Sequence, residues 1–195
     1  MCALARTTCS NSSSSSPHVL AVFIFFYEII MKGFVIVVSV LLVLLYLQYY
    51  VKYKQDYQIL QVFLDNFKLD TLYEKYPIVV YDQVYDPKDL LKTVFAYSFV
   101  FKNEFSVEPG AVCRNSHKFV VLSCDDSVSL KIINPKYKKD IKPRIQDCNV
   151  QFVTVKLKPN QVLILPALWY YHTDNMDVSA IGLDDLVSNW LYKLV

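Results

Sequence analysis

The sequence predicts a mainly β domain of barrel or sandwich type, preceded by one transmembrane helix and followed by an amphipathic helix. Three observations lead to this fold class: a long uncharged apolar run near the N-terminus, a series of short β-rich runs separated by turn residues, and an apolar stripe at helical spacing near the C-terminus. The chain has 195 residues and a formal net charge of only +2, so its overall field does not favour nucleic acid as a partner.

The apolar run Phe34–Val51 contains no charged residue. As a helix rising about 1.5 Å per residue it spans about 27 Å, close to the ~30 Å hydrocarbon core of a bilayer. We interpret residues 31–52 as a transmembrane signal-anchor helix, because a helix satisfies its own backbone hydrogen bonds in lipid. A cleaved signal peptide is disfavoured, since the run is long and no small-residue cleavage site follows it. The first predicted partner is therefore the lipid bilayer.

The lysines that flank this run indicate the orientation of the anchor. Lys52 and Lys54 follow the run, whereas Lys32 precedes it. This excess of positive charge on the C-terminal side predicts that the soluble domain faces the cytoplasm.

Residues 1–30 form an N-terminal extension upstream of the anchor. They contain a Ser-rich polar tail and an apolar run, 19–30, which carries Glu28 and is too short to span a bilayer alone. One interpretation is that the biological start is Met31. The alternative is a second, partly inserted hydrophobic segment.

The part of the chain after the anchor is predicted to begin with a stalk and to continue as a β domain. Apolar residues at helical spacing predict a stalk helix over residues 53–68. Residues 69–195 form the β domain, with a short helix over 87–93. The expected strands cover residues 76–81, 94–102, 118–123, 127–133, 150–157, 161–165 and 169–173. Strands this short and this closely spaced are typical of a barrel or sandwich.

The C-terminal helix is predicted from six apolar residues that fall on one helical face. These residues are Leu183, Leu186, Val187, Trp190, Leu191 and Leu194. Asp184 and Asp185 are expected in its first turn, where acidic side chains complement the helix dipole. Such a helix either packs on the β domain or mediates dimerisation.

Two common site chemistries find little support in the composition. The soluble part has three cysteines, Cys113, Cys124 and Cys148, and none lies in a CxxC pair. This spacing favours buried apolar side chains over a zinc ribbon or a disulfide framework. The whole chain has three glycines and contains neither GxGxxG nor GxxxxGK[ST], which argues against a phosphate-binding loop.

One segment carries a resemblance to a known family. Residues 152–172 read FVTVKLKPNQVLILPALWYYH. This segment resembles the late strands of cupin-like domains of the Jumonji-C type, in which a Gly-Asp turn, a "vLfIP" strand and a "WYH" strand follow one another; Asn160-Gln161 stand at the turn. Weaker similarity at residues 75–80 and 130–135 extends the resemblance over roughly residues 70–180. It implies a double-stranded β-helix of cupin or jelly-roll type.

Active members of that family are Fe(II)- and 2-oxoglutarate-dependent oxygenases that hold iron on a His-x-Asp/Glu…His triad. On this resemblance His117 stands at the first ligand position, Phe119 at the carboxylate position, and Tyr171 where the late histidine is usual. His172 lies one residue further on. Because neighbouring residues of a strand face opposite sides, His172 is expected to point away from the cavity that Tyr171 faces.

The resemblance therefore implies a scaffold, with Tyr171, Trp169 and Phe119 as candidate cavity-lining residues and with no cofactor expected. The alternative is a membrane-tethered oxygenase with an altered ligand set. In that case His117 and His172 hold Fe(II), and 2-oxoglutarate is the cosubstrate.

A cluster of basic residues stands out in the loop after Pro135. It comprises Lys136, Lys138, Lys139, Lys142 and Arg144. A solvated loop is the simplest interpretation. The loop is also a candidate for binding anionic lipid or a partner, because each basic residue near an anionic membrane contributes about 1 kcal/mol. The same charges fit nucleic-acid phosphates, but no base-reading motif accompanies them.

Taken together, the sequence predicts a single-pass membrane protein whose cupin-like domain is a non-catalytic structural or interaction module with an unknown protein partner. The first alternative is the tethered iron oxygenase. The second is a peripheral adaptor that binds anionic lipid or nucleic acid through the basic loop.

Overall fold

The computed structural model describes residues 17–81, 90, 101–175 and 177–192. It divides into two units, residues 1–48 and residues 49–195. The Ser-rich tail, most of the predicted 87–93 helix and nearly all of the predicted 94–102 strand lie outside the described residues. Leu90, within the predicted helix, is described as helical and buried.

The first unit consists of helix α1, Pro17–Val51, of which the last turn belongs to the second unit. The stretch Tyr27–Val51 has a mean hydropathy of 2.7 and is long and apolar enough to cross a membrane, although a signal sequence meets the same criterion. The helix is continuous, so the apolar run at 19–30 is not a separate segment. Glu28 pairs with Lys32 one turn later at 3.2 Å, which compensates its charge.

The second unit is mainly β, with two sheets among the described residues. One sheet has the order β1-β2-β8-β5-β10-β3 and the other the order β4-β9-β6-β7. The strands are β1 Leu60–Val62, β2 Ile78–Val80, β3 Phe101–Ser106, β4 Val112–Arg114, β5 Phe119–Cys124, β6 Val128–Ile133, β7 Phe152–Leu157, β8 Val162–Pro166, β9 Tyr170–Thr173 and β10 Val178–Asp184. All pairs are antiparallel except β1 with β2.

The hydrophobic core is built around β5, which lies between β8 and β10 and is buried along its whole length. Its alternate residues face opposite sides, as the pleat requires. Val120 packs in a large cluster with residues of the other sheet, such as Ile132 and Tyr171. Phe119 packs in a second cluster, with residues such as Ile181. A strand buried on both faces explains the uninterrupted apolar sequence at this position.

The predicted stalk helix over residues 53–68 is wrong. Residues 52–59 have no regular structure, β1 follows, and a 3-10 turn covers Leu64–Asn66 before the short helix α2, Leu69–Tyr73. Side chains that suggested a helical stripe pack into the domain instead, Phe67 in the second cluster and Ile59 against the first. Burial in a sheet outweighed the weak helical periodicity of a short segment.

The C-terminal helix is shorter than the sequence predicts. Helix α3 covers Leu186–Tyr192, while Leu183 and Asp184 belong to β10. Asp185 does begin the helix: its Oδ1 accepts hydrogen bonds from the backbone amides of Val187 and Ser188 at 3.0 and 2.9 Å. Leu186 and Trp190, two residues of the predicted stripe, are 71% and 60% exposed, so the expected packed stripe is not confirmed.

The side chain of Lys75 caps the C-terminal end of α1. Its Nζ donates to the carbonyl oxygens of Tyr49 and Lys52, the latter at 2.7 Å, and lies 3.8 Å from the centroid of the Tyr49 ring. Burial, with the charges of Lys52 and Lys118, lowers the pKa of Lys75 from 10.5 to about 8. Carbonyl groups at a helix C-terminus carry partial negative charge and lack intrahelical partners, which is why a lysine fits there.

Replacing Lys75 with methionine is expected to lower the free energy of unfolding by about 1–2 kcal/mol, because two helix carbonyls lose their donor. Thermal unfolding of the full-length chain in detergent, followed by tryptophan fluorescence, measures the loss. Lys54→Met is the matched control, since the Lys54 ammonium only lies 5.5 Å from the centroid of the Tyr76 ring. We expect the control to change stability by no more than about 0.5 kcal/mol. Equal losses in both variants would contradict the capping role of Lys75.

Candidate active site

The β domain contains a cavity of 260 Å³. It is lined by residues of β3, β4, β5 and β9 and by the loop that joins β4 to β5. Its wall includes the side chains of Phe105, Arg114, Asn115, His117 and Tyr171. Residues that are far apart in the sequence therefore share one small space.

His117, which lines this cavity, belongs to a buried His–Asp pair. His117 Nδ1 lies 2.5 Å from Asp184 Oδ2, and the two side chains are only 4% and 3% exposed. The second carboxylate oxygen of Asp184 accepts a hydrogen bond from the backbone amide of Lys118 at 2.9 Å. A carboxylate at this distance favours the tautomer with the proton on Nδ1, which leaves Nε2 as the basic nitrogen of the ring. The pair thus has the arrangement of an oriented general base.

The imidazole ring of His117 packs closely against Phe105 and Gly182. Phe105 stacks on the ring with the ring centroids 5.7 Å apart and an interplanar angle of 26°. A Cβ added at Gly182 would come within 2.5 Å of the ring. Only glycine permits the β10 backbone to approach the ring so closely, and the ring orientation is fixed as a result.

The loop that carries His117 is fastened by Asn115, which is buried. The Asn115 amide nitrogen donates to the carbonyl oxygens of Leu165 and Pro166 at 2.9 and 2.8 Å. Its side-chain oxygen accepts the backbone amide of His117 at 2.9 Å. All these contacts use groups that would otherwise be unsatisfied in the interior, so the backbone position of His117 is well determined.

Tyr171 also lines the cavity. Burial, with a smaller contribution from Cys113, raises the pKa of its phenol above the usual 10. The hydroxyl therefore keeps its proton at neutral pH, and it makes no hydrogen bond to any residue in the described part of the chain. A tyrosine hydroxyl that stays protonated in the same cavity as an oriented histidine can donate a hydrogen bond to a bound molecule.

Tyr171 and His172 lie on opposite sides of β9, and the other two candidate lining residues lie away from this cavity. Tyr171 faces the cavity, while His172 has its Nδ1 3.2 Å from the Ala111 carbonyl oxygen and its Nε2 3.1 Å from Asp174 Oδ1. Trp169 is buried in the large cluster, with an indole Nε1 that has no partner in the described structure. Phe119 packs in the second cluster, on the face of β5 opposite the cavity.

The residues at the iron-triad positions do not assemble a donor set. Phe119 supplies no donor atom, and both ring nitrogens of His172 have other hydrogen-bond partners. Within residues 17–81, 90, 101–175 and 177–192, no group of three or more His, Cys, Asp or Glu side chains is arranged to hold a metal ion. An Fe(II) site at His117 and His172 stays a prediction without a supporting contact.

Sequence reasoning missed the role of Asp184, which it placed at a helix start. The signal that could have found it is the run Val178–Asp184, which reads VSAIGLD and is a plausible strand with a carboxylate at its end. Gly182 and Asn115 offered no sequence signal, because their roles depend on what lies opposite them.

The two sheets and the core that they share define a mainly β domain of sandwich type. In the sequence this domain follows one long apolar helix. No family model matches the chain, and no curated protein matches its sequence. Among the solved structures that resemble it is dTDP-4-dehydrorhamnose 3,5-epimerase from Sulfolobus tokodaii. The TM-score is 0.29 at 10% identity, and the match covers 52% of this chain and 60% of the epimerase chain. A likeness this distant carries no argument about fold or activity.

Proposed function

We propose that this chain is a single-pass membrane protein whose cupin-like domain catalyses proton transfer on a small polar substrate. The observation that carries the proposal is the buried pair of His117 and Asp184, 2.5 Å apart, whose histidine lines a cavity together with Tyr171. Buried ionisable groups that meet in a cavity are typical of catalytic sites. Tyr27–Val51 serves as the anchor, and the flanking lysines favour a cytoplasmic position of the domain.

The reaction class that suits these residues is proton abstraction from a carbon next to a carbonyl group. His117 Nε2 takes the proton from that carbon, and Asp184 stabilises the imidazolium that forms. Tyr171 donates its proton either to the carbonyl oxygen, which yields the enol, or to the opposite face of the carbon, which inverts the centre. Arg114 lines the same cavity and offers a positive charge to the developing enolate. Solvent then restores the proton of Tyr171 and removes that of His117.

Deuterium exchange into a panel of candidate substrates tests this proposal. The full-length protein in detergent is incubated in D2O with a set of keto sugars and keto acids, including dTDP-4-dehydrorhamnose, and mass spectrometry detects a gain of one mass unit. We expect the wild type to exchange at least one compound. We expect His117→Asn and Tyr171→Phe to lower that rate by at least about 100-fold, the usual contribution of a positioned acid or base.

His172→Asn is the matched control, because His172 is a buried histidine on the opposite face of the same strand from Tyr171. It should exchange at nearly the wild-type rate. Exchange by His117→Asn at the wild-type rate would contradict the proposal, as would the absence of exchange across the panel by folded wild type. In either case the non-catalytic structural or interaction module expected from the sequence becomes the favoured function.

A further inference from the structure

A second, larger cavity of 470 Å³ lies within the β domain unit and shares the lining residue Arg114 with the first. We call it the basic basin. Four cations contribute to its wall: Arg114, Lys136, Lys138 and Lys139. Its wall also includes Val51, Tyr53 and Tyr170. No acidic side chain of the described residues lines it.

We propose that the basic basin binds a phosphate group, namely that of an anionic phospholipid headgroup in the membrane that α1 crosses. This goes beyond the proton-transfer chemistry and rests only on the membrane-anchoring part of the proposed function. A lipid headgroup and a free phosphate ester would be recognised by the same chemistry. Lysine ammonium groups and an arginine guanidinium donate hydrogen bonds to the phosphate oxygens, and the forked geometry of the guanidinium matches two of them.

No carboxylate in the described part of the chain pairs with Arg114, Lys138 or Lys139 of the basin. Lys136 is held in place, since its Nζ donates to the Gln55 carbonyl oxygen at 3.1 Å and lies 5.1 Å from the centroid of the Tyr57 ring. Three cations without a described carboxylate partner attract an anion to the basin, and the already ordered Lys136 loses little side-chain entropy when the anion binds.

The position of the basin along the chain favours a lipid as the source of the phosphate. Val51 is the last residue of the apolar stretch Tyr27–Val51 and also lines the basin. The basin therefore begins where the predicted span ends, which is the level of the headgroups. Tyr53 and Tyr170 add amphipathic rings of the kind that is enriched at this level of membrane proteins.

The structure also separates the basic residues that the sequence grouped together. Lys136, Lys138 and Lys139 line the basin, whereas Lys142 and Arg144 belong to the same loop but do not. Lys138, Lys139, Lys142 and Arg144 are all exposed, so their replacement leaves the fold intact. Two double variants with the same loss of charge therefore differ only in whether they alter the basin.

The experiment measures binding to the full-length chain in a neutral detergent by native mass spectrometry. The lipid probes are dioleoylphosphatidylglycerol and dioleoylphosphatidylcholine, and the soluble probe is glycerol 3-phosphate. We expect phosphatidylglycerol to bind at least about tenfold more tightly than phosphatidylcholine. Lys138→Gln with Lys139→Gln should weaken phosphatidylglycerol binding by about 10- to 30-fold, whereas Lys142→Gln with Arg144→Gln should change it by less than about twofold.

Equal weakening in the two double variants, or no weakening in either, would overturn the proposal, because the basin would then contribute nothing beyond general surface charge. Glycerol 3-phosphate that binds as tightly as phosphatidylglycerol, with the same dependence on Lys138 and Lys139, would overturn the lipid source and leave phosphate recognition standing. The binding measurement is made in detergent and needs no membrane. It therefore tests the basin independently of whether α1 anchors the protein in a membrane. Extraction of the protein from cell membranes by alkaline carbonate would overturn the anchor alone.

Discussion

Replacement of Asp184 with alanine is expected to destabilise the domain by about 3–5 kcal/mol, as is usual when one partner of a buried pair is removed. The carboxylate serves two buried groups, His117 Nδ1 at 2.5 Å and the Lys118 amide at 2.9 Å. Alanine removes the acceptor that both groups use and leaves a space next to the ring. Each buried group that loses its partner costs about 1–3 kcal/mol, so the sum agrees with the first figure.

Chemical unfolding of the full-length chain in detergent, followed by the fluorescence of the buried Trp169, measures this loss. Asp184→Asn keeps the shape of the side chain and one acceptor oxygen, and we expect it to lose less than half as much stability. Asp185→Ala is the neighbouring control: Asp185 caps the short helix α3 and pairs with Lys118 Nζ at 2.7 Å. A lost cap costs about 1 kcal/mol and a lost ion pair near the surface up to about 1 kcal/mol, so we expect a smaller loss than in Asp184→Ala. An alanine variant at position 184 that unfolds like the wild type would show that the pair does not support the fold.

The second large effect is expected at Gly182, where alanine should destabilise the domain by about 3 kcal/mol. A Cβ at this position would lie 2.5, 2.6 and 2.7 Å from three atoms of the His117 ring. The ring cannot easily yield, because Phe105 stacks on it and Asp184 holds its Nδ1. The clash must therefore move either the β10 backbone or the base itself. Proton transfer should fall along with stability.

A double-mutant cycle identifies the ring as the cause. In the background of His117→Ser the ring is absent, so Gly182→Ala should cost at least about 1.5 kcal/mol less than in the wild type, a coupling typical of residues in contact. Both backgrounds are compared by the same unfolding measurement. Costs that add within about 0.5 kcal/mol would mean that the strain arises elsewhere in β10.

Local patterns of the sequence were sufficient for much of the fold. The uncharged run that ends at Val51 lies in a helix, and the strands β5 to β9 lie within two residues of their predicted bounds. Both features can be recognised from neighbouring residues alone: the helix from its continuous apolar content, and the strands from short β-rich runs bounded by turn residues. The orientation of Tyr171 toward the cavity and of His172 away from it followed from the two-residue period of a strand.

Local patterns failed where a partner strand decides the structure. The segment that was expected as a stalk contains β1, which exists only because β2 lies beside it and offers backbone partners. The segment at the start of the expected C-terminal helix is β10, which is stabilised by pairing with both β3 and β5. Short segments have too little intrinsic preference for helix or strand to determine their structure alone. Hydrogen bonding to a neighbouring strand therefore decides that they are strands.

The sequence by itself determined that this protein has an apolar helix of membrane-spanning length followed by a mainly β domain, because hydrophobic content and period are properties of neighbouring residues. The site was decided only by the tertiary structure. His117 and Asp184 are 67 residues apart, and the register that pairs Leu183 with Phe119 places the carboxylate beside the loop that carries the histidine. The basic basin depends in the same way on β4, β9 and the 136–139 loop meeting near Val51. Contacts of this range follow from strand register and packing, which no stretch of sequence specifies alone.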